Sequence, residues 1–196
     1  MTETKPSKGD IIEIESKAGM IHLKDKQAAG DGLRDSIIQH GGTQQDVDNA
    51  ASYGIQLEMS KDPNDPTFKT LVDAVKRAGV HANRESMKLV DGDTVTRRDG
   101  TPVAPGKWLI DARSKFDVDV VDVNGHPISL DEEPGDGTQV VAAINVKSNR
   151  DQSKAIYFLT GVMIEKLEKR PDTHYVFNRF RKTEQTGFDD SVVDAF

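Results

Sequence analysis

The residues best suited to chemistry in this 196-residue chain are cations interleaved with rings. Lys107, Arg113 and Lys115 share one face of a predicted strand at 107–116, and Lys147, Arg150, Lys154 and Tyr157 can meet it across a sheet. A third group, at 174–182, interleaves Tyr175, Phe177 and Phe180 with Arg179, Arg181 and Lys182. Cations that track phosphates and rings on which bases stack are the two devices that hold single-stranded nucleic acid. Each group also has a plainer use. Trp108 and Phe116 share the face of Ile110 and are expected in a core, as is Phe158. Tyr157 points opposite to Phe158, near Lys154, and fits stacking or packing equally. The cluster at 179–182 also fits a solvated edge.

Other chemistry finds little support. Cysteine is absent, which excludes disulfides, thiolate zinc sites and cysteine nucleophiles. The five histidines show no metal-ligand spacing. Asp91-Gly92-Asp93 and the stretch 62–65 resemble cation loops, but neither continues into a calcium pattern. No glycine loop leads from a strand into a helix to cradle phosphate, and no nucleophile elbow is visible. No cofactor or metal is expected, and no enzymatic constellation emerges. No apolar run approaches the roughly 18 residues of a membrane span, and the first ten residues are too polar for a secretory signal. A soluble, cytosolic protein is expected.

The elements that must carry these residues alternate between strands and one clear helix. The stretch 9–16 reads as a strand with 18–23 as its hairpin partner, and 31–40 as a short helix stopped by Gly41-Gly42. Tyr53, Ile55, Leu57 and Met59 alternate along a strand. Asp65 and Pro66 open a helix whose stripe is Phe68, Leu71, Val72, Val75 and Ala78, with Gly79 at its end. The stretch 91–106, with Arg97 and Arg98, reads as a loop with room for a short hairpin. Strands follow at 107–116, 117–123, 137–147 and 154–167, with a turn at Asn124-Gly125. Val140, Ala142, Ile144 and Val146 share one face. A mainly β, α+β chain of antiparallel strands with one clear and one or two short covering helices fits a small barrel or a sandwich.

Net charge is -7 but unevenly placed. Lys169, Arg170, Arg179, Arg181 and Lys182 precede an end, 184–196, that holds Glu184, Asp189, Asp190 and Asp194 and no base. A further acidic cluster, Asp131, Glu132, Glu133 and Asp136, lies in a Pro-Gly loop. Segregated charge makes the net value a poor guide to partners. The end composition favours disorder, and terminal Phe196 beside carboxylates makes a bait with an apolar and an ionic handle.

At this point the chain resembles the single-stranded-DNA-binding proteins of tailed bacteriophages. The likeness runs over roughly the last two-thirds: Lys61-Asp62-Pro63 and the helix with Leu71, Val72 and Val75; Trp108 through Ala112 and Ser114; Val120-Val121-Asp122 with Asn124-Gly125; 137–143; Gly161-Val162-Met163-Ile164; and Asp194-Ala195-Phe196. The resemblance implies an OB-type antiparallel β-barrel over 1–183 that coats single-stranded DNA in replication and recombination. It implies an acidic tail at 184–196 that competes with DNA and recruits DNA polymerase and helicase-primase. Asp189, Asp190, Asp194 and Phe196 match that tail. The bacterial host cytoplasm is the implied location, and a homodimer is allowed. Aromatic residues of the best-known relative lie before the last long strand, where this chain reads Asn145-Val146-Lys147-Ser148-Asn149-Arg150. Stacking then falls to Tyr157, Trp108 or Tyr53, or binding leans on charge. The DNA-binding set expected is Lys107, Trp108, Arg113, Lys115, Lys147, Arg150, Lys154, Tyr157, Arg179 and Arg181. The rivals are a β-sandwich assembly protein and a metal-dependent nuclease using Asp91, Asp93 or the 131–136 acids.

Overall fold

The computed structural model describes residues 11–97 and 100–169. In chain order the elements are β1 (Ile11–Gln27), α1 (Asp31–Gln39), α2 (Gln44–Asp48), β2 (Ser52–Ser60), α3 (Pro66–Arg77), β3 (Val90–Asp91), β4 (Lys107–Ser114), β5 (Asp119–Val121), β6 (Gln139–Ser148) and β7 (Ala155–Lys166). Strands β1, β2, β4, β7 and β6 close on one another in that order and form a five-stranded, OB-like barrel. The expectation of purely antiparallel strands fails at the closure. Strands β4 and β7 meet in parallel at Arg113 and Phe158, and β5 lies parallel to β7.

The two stretches expected to form a first hairpin are one long strand. The first half of β1, through Lys17, pairs with β6, and the half from Ala18 onward pairs with β2. A register shift between Ala18 and Ile21 bends it at the barrel corner and changes which residues face inward. Ile12, Ile14 and Ala18 point in before the shift, and Ile21 and Leu23 after it. Gly19 sits in the shift, where an added Cβ would stand 3.0 Å from Gln56 Oε1.

Strand β7 changes phase in the same way. Ala155, Tyr157 and Leu159 are buried, then Val162 and Ile164. The shift opposite Ala143 and Ile144 absorbs Thr160, whose hydroxyl donates to Ala143 O at 2.9 Å. Phe158, expected in the core, therefore faces outward and is 41% exposed. Phe116 is 82% exposed. The alternation of β4 stops at Ser114, whose hydroxyl accepts from Phe116 N and donates to Phe116 O, turning the chain outward.

The core combines Ile14, Ile21, Ile55, Leu57, Ile110, Val140, Ile144 and Val162 with Leu71, Ala74 and Val75 of α3. Asp65 caps α3 by accepting from Phe68 N at 3.0 Å, Pro66 fills its first position, and Gly79 follows with φ +81°. Each buried Leu or Val side chain contributes about 1.5–3 kcal/mol relative to exposure, so α3 acts as a cover for the barrel. Helices α1 and α2 pack on each other, and α1 buries none of its residues. No helix among the described residues is long and apolar enough to cross a membrane.

Candidate nucleic-acid interface

In an OB barrel the outer face of the second and third strands, with the loops beside it, takes oligonucleotides. Here those strands are β2 and β4. Register sets the residues on that face in rows, because alternate side chains point to opposite sides. One row runs His22, Gly54, Arg113 and Phe158 across β1, β2, β4 and β7. The next pairs Gln56 with Asp111, and Gln56 Nε2 donates to Asp111 Oδ1 at 3.1 Å. A third sets Glu58 against Leu109.

The first row has the character of a binding surface. Gly54 contributes no side chain, so His22, Gln56, Asp111 and Arg113 border a shallow hollow. An added Cβ on Gly54 would stand 3.6 Å from Arg113 Cγ, so the arginine stem crosses it. Phe158 lies beside Arg113, and Lys147 Nζ is 5.6 Å from the Phe158 ring centroid. Cations so placed are attracted by the ring face. Arg113 and Lys147, both expected from the sequence, are thus brought to the two sides of one exposed ring. Beyond the end of β4, Lys115 is exposed, and Tyr53 lies under Lys26 Nζ at 5.4 Å, its hydroxyl donating to Asp117 Oδ1 at 3.2 Å. Burial and the Asp117 carboxylate together push the Tyr53 hydroxyl above its ordinary pKa.

The other expected residues stand elsewhere. Lys107 lies at the far end of β4, beside Ser60. Arg150 and Lys154 sit in the β6–β7 turn, where Lys154 Nζ is 4.0 Å from Glu85 Oε1. Trp108 is at the barrel end, with Lys61 Nζ 4.8 Å and Arg84 Cζ 4.9 Å from its ring, so cations rather than bases lie against it. Tyr157 must be withdrawn as a stacking residue. It is only 4% exposed, and its hydroxyl donates to Met87 O at 2.7 Å. Burial pushes that hydroxyl well above the usual tyrosine range. Arg179, Arg181, Asp189, Asp190, Asp194 and Phe196 lie outside the described residues.

The acids named as a nuclease centre have other work. Lys61 Nζ lies 2.6 Å from both Asp91 Oδ1 and Asp93 Oδ2, standing where a bound cation would sit. Hydrogen bonds from Lys61 hold both carboxyls below their ordinary range. Glu133 accepts from the backbone N–H groups of Leu23, Lys24 and Asp25 at 2.8, 3.1 and 3.0 Å, clasping the end of β1. Among the described residues no three metal-ligating side chains cluster.

Sequence reasoning missed Phe158 and Gly54. Gly54 carried a usable signal, since a glycine inside an alternating strand marks a close approach of something else. Phe158 carried none, because the phase change in β7 is set by its partner strand.

No family model matches the sequence, and no curated protein matches it. Solved structures do. The single-stranded DNA-binding protein from bacteriophage Enc34 in complex with ssDNA matches at TM-score 0.58 and 20% identity, covering 83% of this chain and 89% of that one. A C-terminal truncation of the same phage protein gives TM-score 0.58 at 20% identity, covering 82% and 87%. A further structure of it gives 0.55 at 19% identity, covering 83% of each. The chain has the fold of these bacteriophage single-stranded-DNA-binding proteins.

Proposed function

We propose that this chain is a single-stranded-DNA-binding protein of phage DNA replication and recombination, coating DNA with little sequence preference and catalysing no reaction. The observation that carries the reading is Arg113 in one row with the bare Gly54 and the exposed Phe158, with Lys147 Nζ over the Phe158 ring, at the face of β2 and β4 where OB barrels take oligonucleotides. A ring for a base, flanked by cations for phosphates, is the minimal unit of sequence-tolerant single-strand binding. Shared fold with a phage protein solved on ssDNA supports it. Lys107, Lys115, Arg150, Lys154, Arg179 and Arg181 are proposed as further DNA-binding cations.

The proposal divides the chain into a DNA-binding domain at 1–183 and an acidic tail at 184–196. The tail, through Asp189, Asp190, Asp194 and Phe196, competes with DNA for the cationic face and recruits DNA polymerase and helicase-primase in the host cytoplasm. The proposal allows a homodimer.

The test is fluorescence anisotropy of a labelled oligo-dT at two salt concentrations, with the full chain and with a chain lacking 184–196. Binding that weakens steeply with salt is expected, since each neutralised phosphate releases counterions. Tighter binding by the shortened chain is expected from loss of the competing acids. No binding by either chain at low salt would overturn the reading in favour of an assembly protein.

A further inference from the structure

The outer face of β2 and β4 carries a second set of cations, and a carboxylate of the chain itself lies among them. Glu58 points outward from β2 opposite Leu109. Lys107 lies diagonal to it, being the partner of Ser60, within reach of long side chains. Lys17 flanks it from β1, one residue before Ala18, the partner of Leu57. Arg97, in the loop between β3 and β4, adds a weaker attraction from outside the site, its guanidinium donating to Pro102 O at 3.0 Å. That loop is a short arm: Val103 N donates to Val95 O at 2.8 Å and Arg97 N to Thr101 O at 2.7 Å. The outward-facing Leu109, paired with Val90 of β3, is fully buried, and Ala104 is buried too.

Neither lysine clasps Glu58. It forms no close ion pair among the described residues. A cavity of about 290 Å³ lies there instead, with Lys17, Glu58, Ser60, Thr67 and Lys107 in its wall. Glu15 and Asp65 also border it; Glu15 is exposed and Asp65 is held by Phe68 N. Burial raises the Glu58 carboxyl above its ordinary pKa, and the attraction of Lys17, Lys107 and Arg97 opposes that rise. The Glu58 carboxylate thus sits in a partly desolvated place between Lys17 and Lys107, two cations that would otherwise be offered to an anion.

We infer that Lys17 and Lys107 form a second phosphate site for single-stranded DNA, and that Glu58 occupies it in the free protein as an internal competitor. The inference rests on the proposed function. The site is separate from the Arg113 row: Lys107 and Arg113 are six residues apart on one strand, about 20 Å at the usual rise, too far for one phosphate to touch both. The competitor differs from the acidic tail in being fixed to the barrel, so its effect persists when 184–196 is removed.

The test is anisotropy of oligo-dT with four proteins: wild type, Glu58→Gln, the pair Lys17→Gln/Lys107→Gln, and the triple variant. Glu58→Gln is expected to bind about 3- to 10-fold tighter at low salt, with a salt slope steeper by about 0.7 for one more neutralised phosphate. The gain should vanish in the triple variant. Glu58→Ala, checked by its melting curve, gives the same gain if Gln packs poorly. Binding by wild type with no gain in Glu58→Gln and Glu58→Ala overturns this inference and leaves the proposed function standing. A gain that survives loss of Lys17 and Lys107 overturns it too, as a mere change in net charge. No binding at low salt by wild type or by the chain lacking 184–196 overturns both.

Discussion

Tyr157 and Phe158 are consecutive residues on opposite sides of the barrel wall: the Tyr157 hydroxyl is bonded to Met87 O inside, while the Phe158 ring stands outside between Arg113 and Lys147. The first ring holds the end of β7 to the loop before β3. The second is partly exposed, with Lys147 over it, and is the ring proposed to meet a base. Phe158→Ala is expected to weaken oligo-dT binding by about 1–3 kcal/mol, the usual loss of one stacked base, with little change in melting temperature because the side chain is already partly in water. Anisotropy and a thermal melt on the same preparation check both halves.

Tyr157→Phe should do the reverse. It leaves DNA affinity unchanged and lowers stability by about 1 kcal/mol, through a lost buried hydrogen bond that strands Met87 O. Because burial raises the folded-state pKa of this hydroxyl, its contribution is fully present below the ordinary tyrosine value. It is lost as pH climbs from there toward the folded pKa, since only the unfolded chain ionises readily. Stability measured by denaturant should therefore fall above about pH 10 in the wild type, and less steeply in Tyr157→Phe.

Helix α3 was legible in the sequence because its signals are local: Asp65, Pro66, the stripe through Leu71 and Val75, and Gly79 each act within a turn or two. The inward face of β6 was legible for the same reason, since Val140 to Val146 keep one phase throughout. The long β1, the phase change in β7 and the parallel closure at Arg113 and Phe158 were not. Each depends on what a distant strand offers as a partner, and a bulge moves every later side chain to the other face. The candidate site divides along the same line. Arg113 and Lys147 announce themselves by type and alternation, but the ring between them could be chosen only once Tyr157 was seen to turn inward.

Lys61 joins two parts of the chain by bridging Asp91 and Asp93 while lying against Trp108. Lys61→Met is expected to leave the barrel folded, loosen the loop before β4 and shift the emission of Trp108, the chain's single tryptophan. Both aspartates are held below their ordinary pKa by Lys61, so the pair stabilises the wild type above the usual carboxylate range. That contribution fades as pH falls through the lowered values. The emission difference between wild type and Lys61→Met should accordingly shrink on acidification. An emission spectrum unaltered by the substitution at neutral pH would contradict the contact.

Gly54 sets stability against function. A glycine inside a strand costs roughly 0.5–1 kcal/mol relative to a residue with a side chain, and nothing in the backbone here demands it. An added Cβ would meet Ala112 O and Arg113 Cγ at 3.6 Å, ordinary contact distances. β-branched residues fit a pleated, half-covered surface well. Gly54→Val is therefore expected to raise the melting temperature. The same side chain would fill the hollow bordered by His22 and Arg113 and lift the arginine stem that now crosses the gap. Oligo-dT affinity should fall, by an amount comparable to losing Phe158, if a nucleotide needs that gap to reach the ring. A variant that gains stability and keeps full affinity would mean that DNA does not cross the barrel at this row.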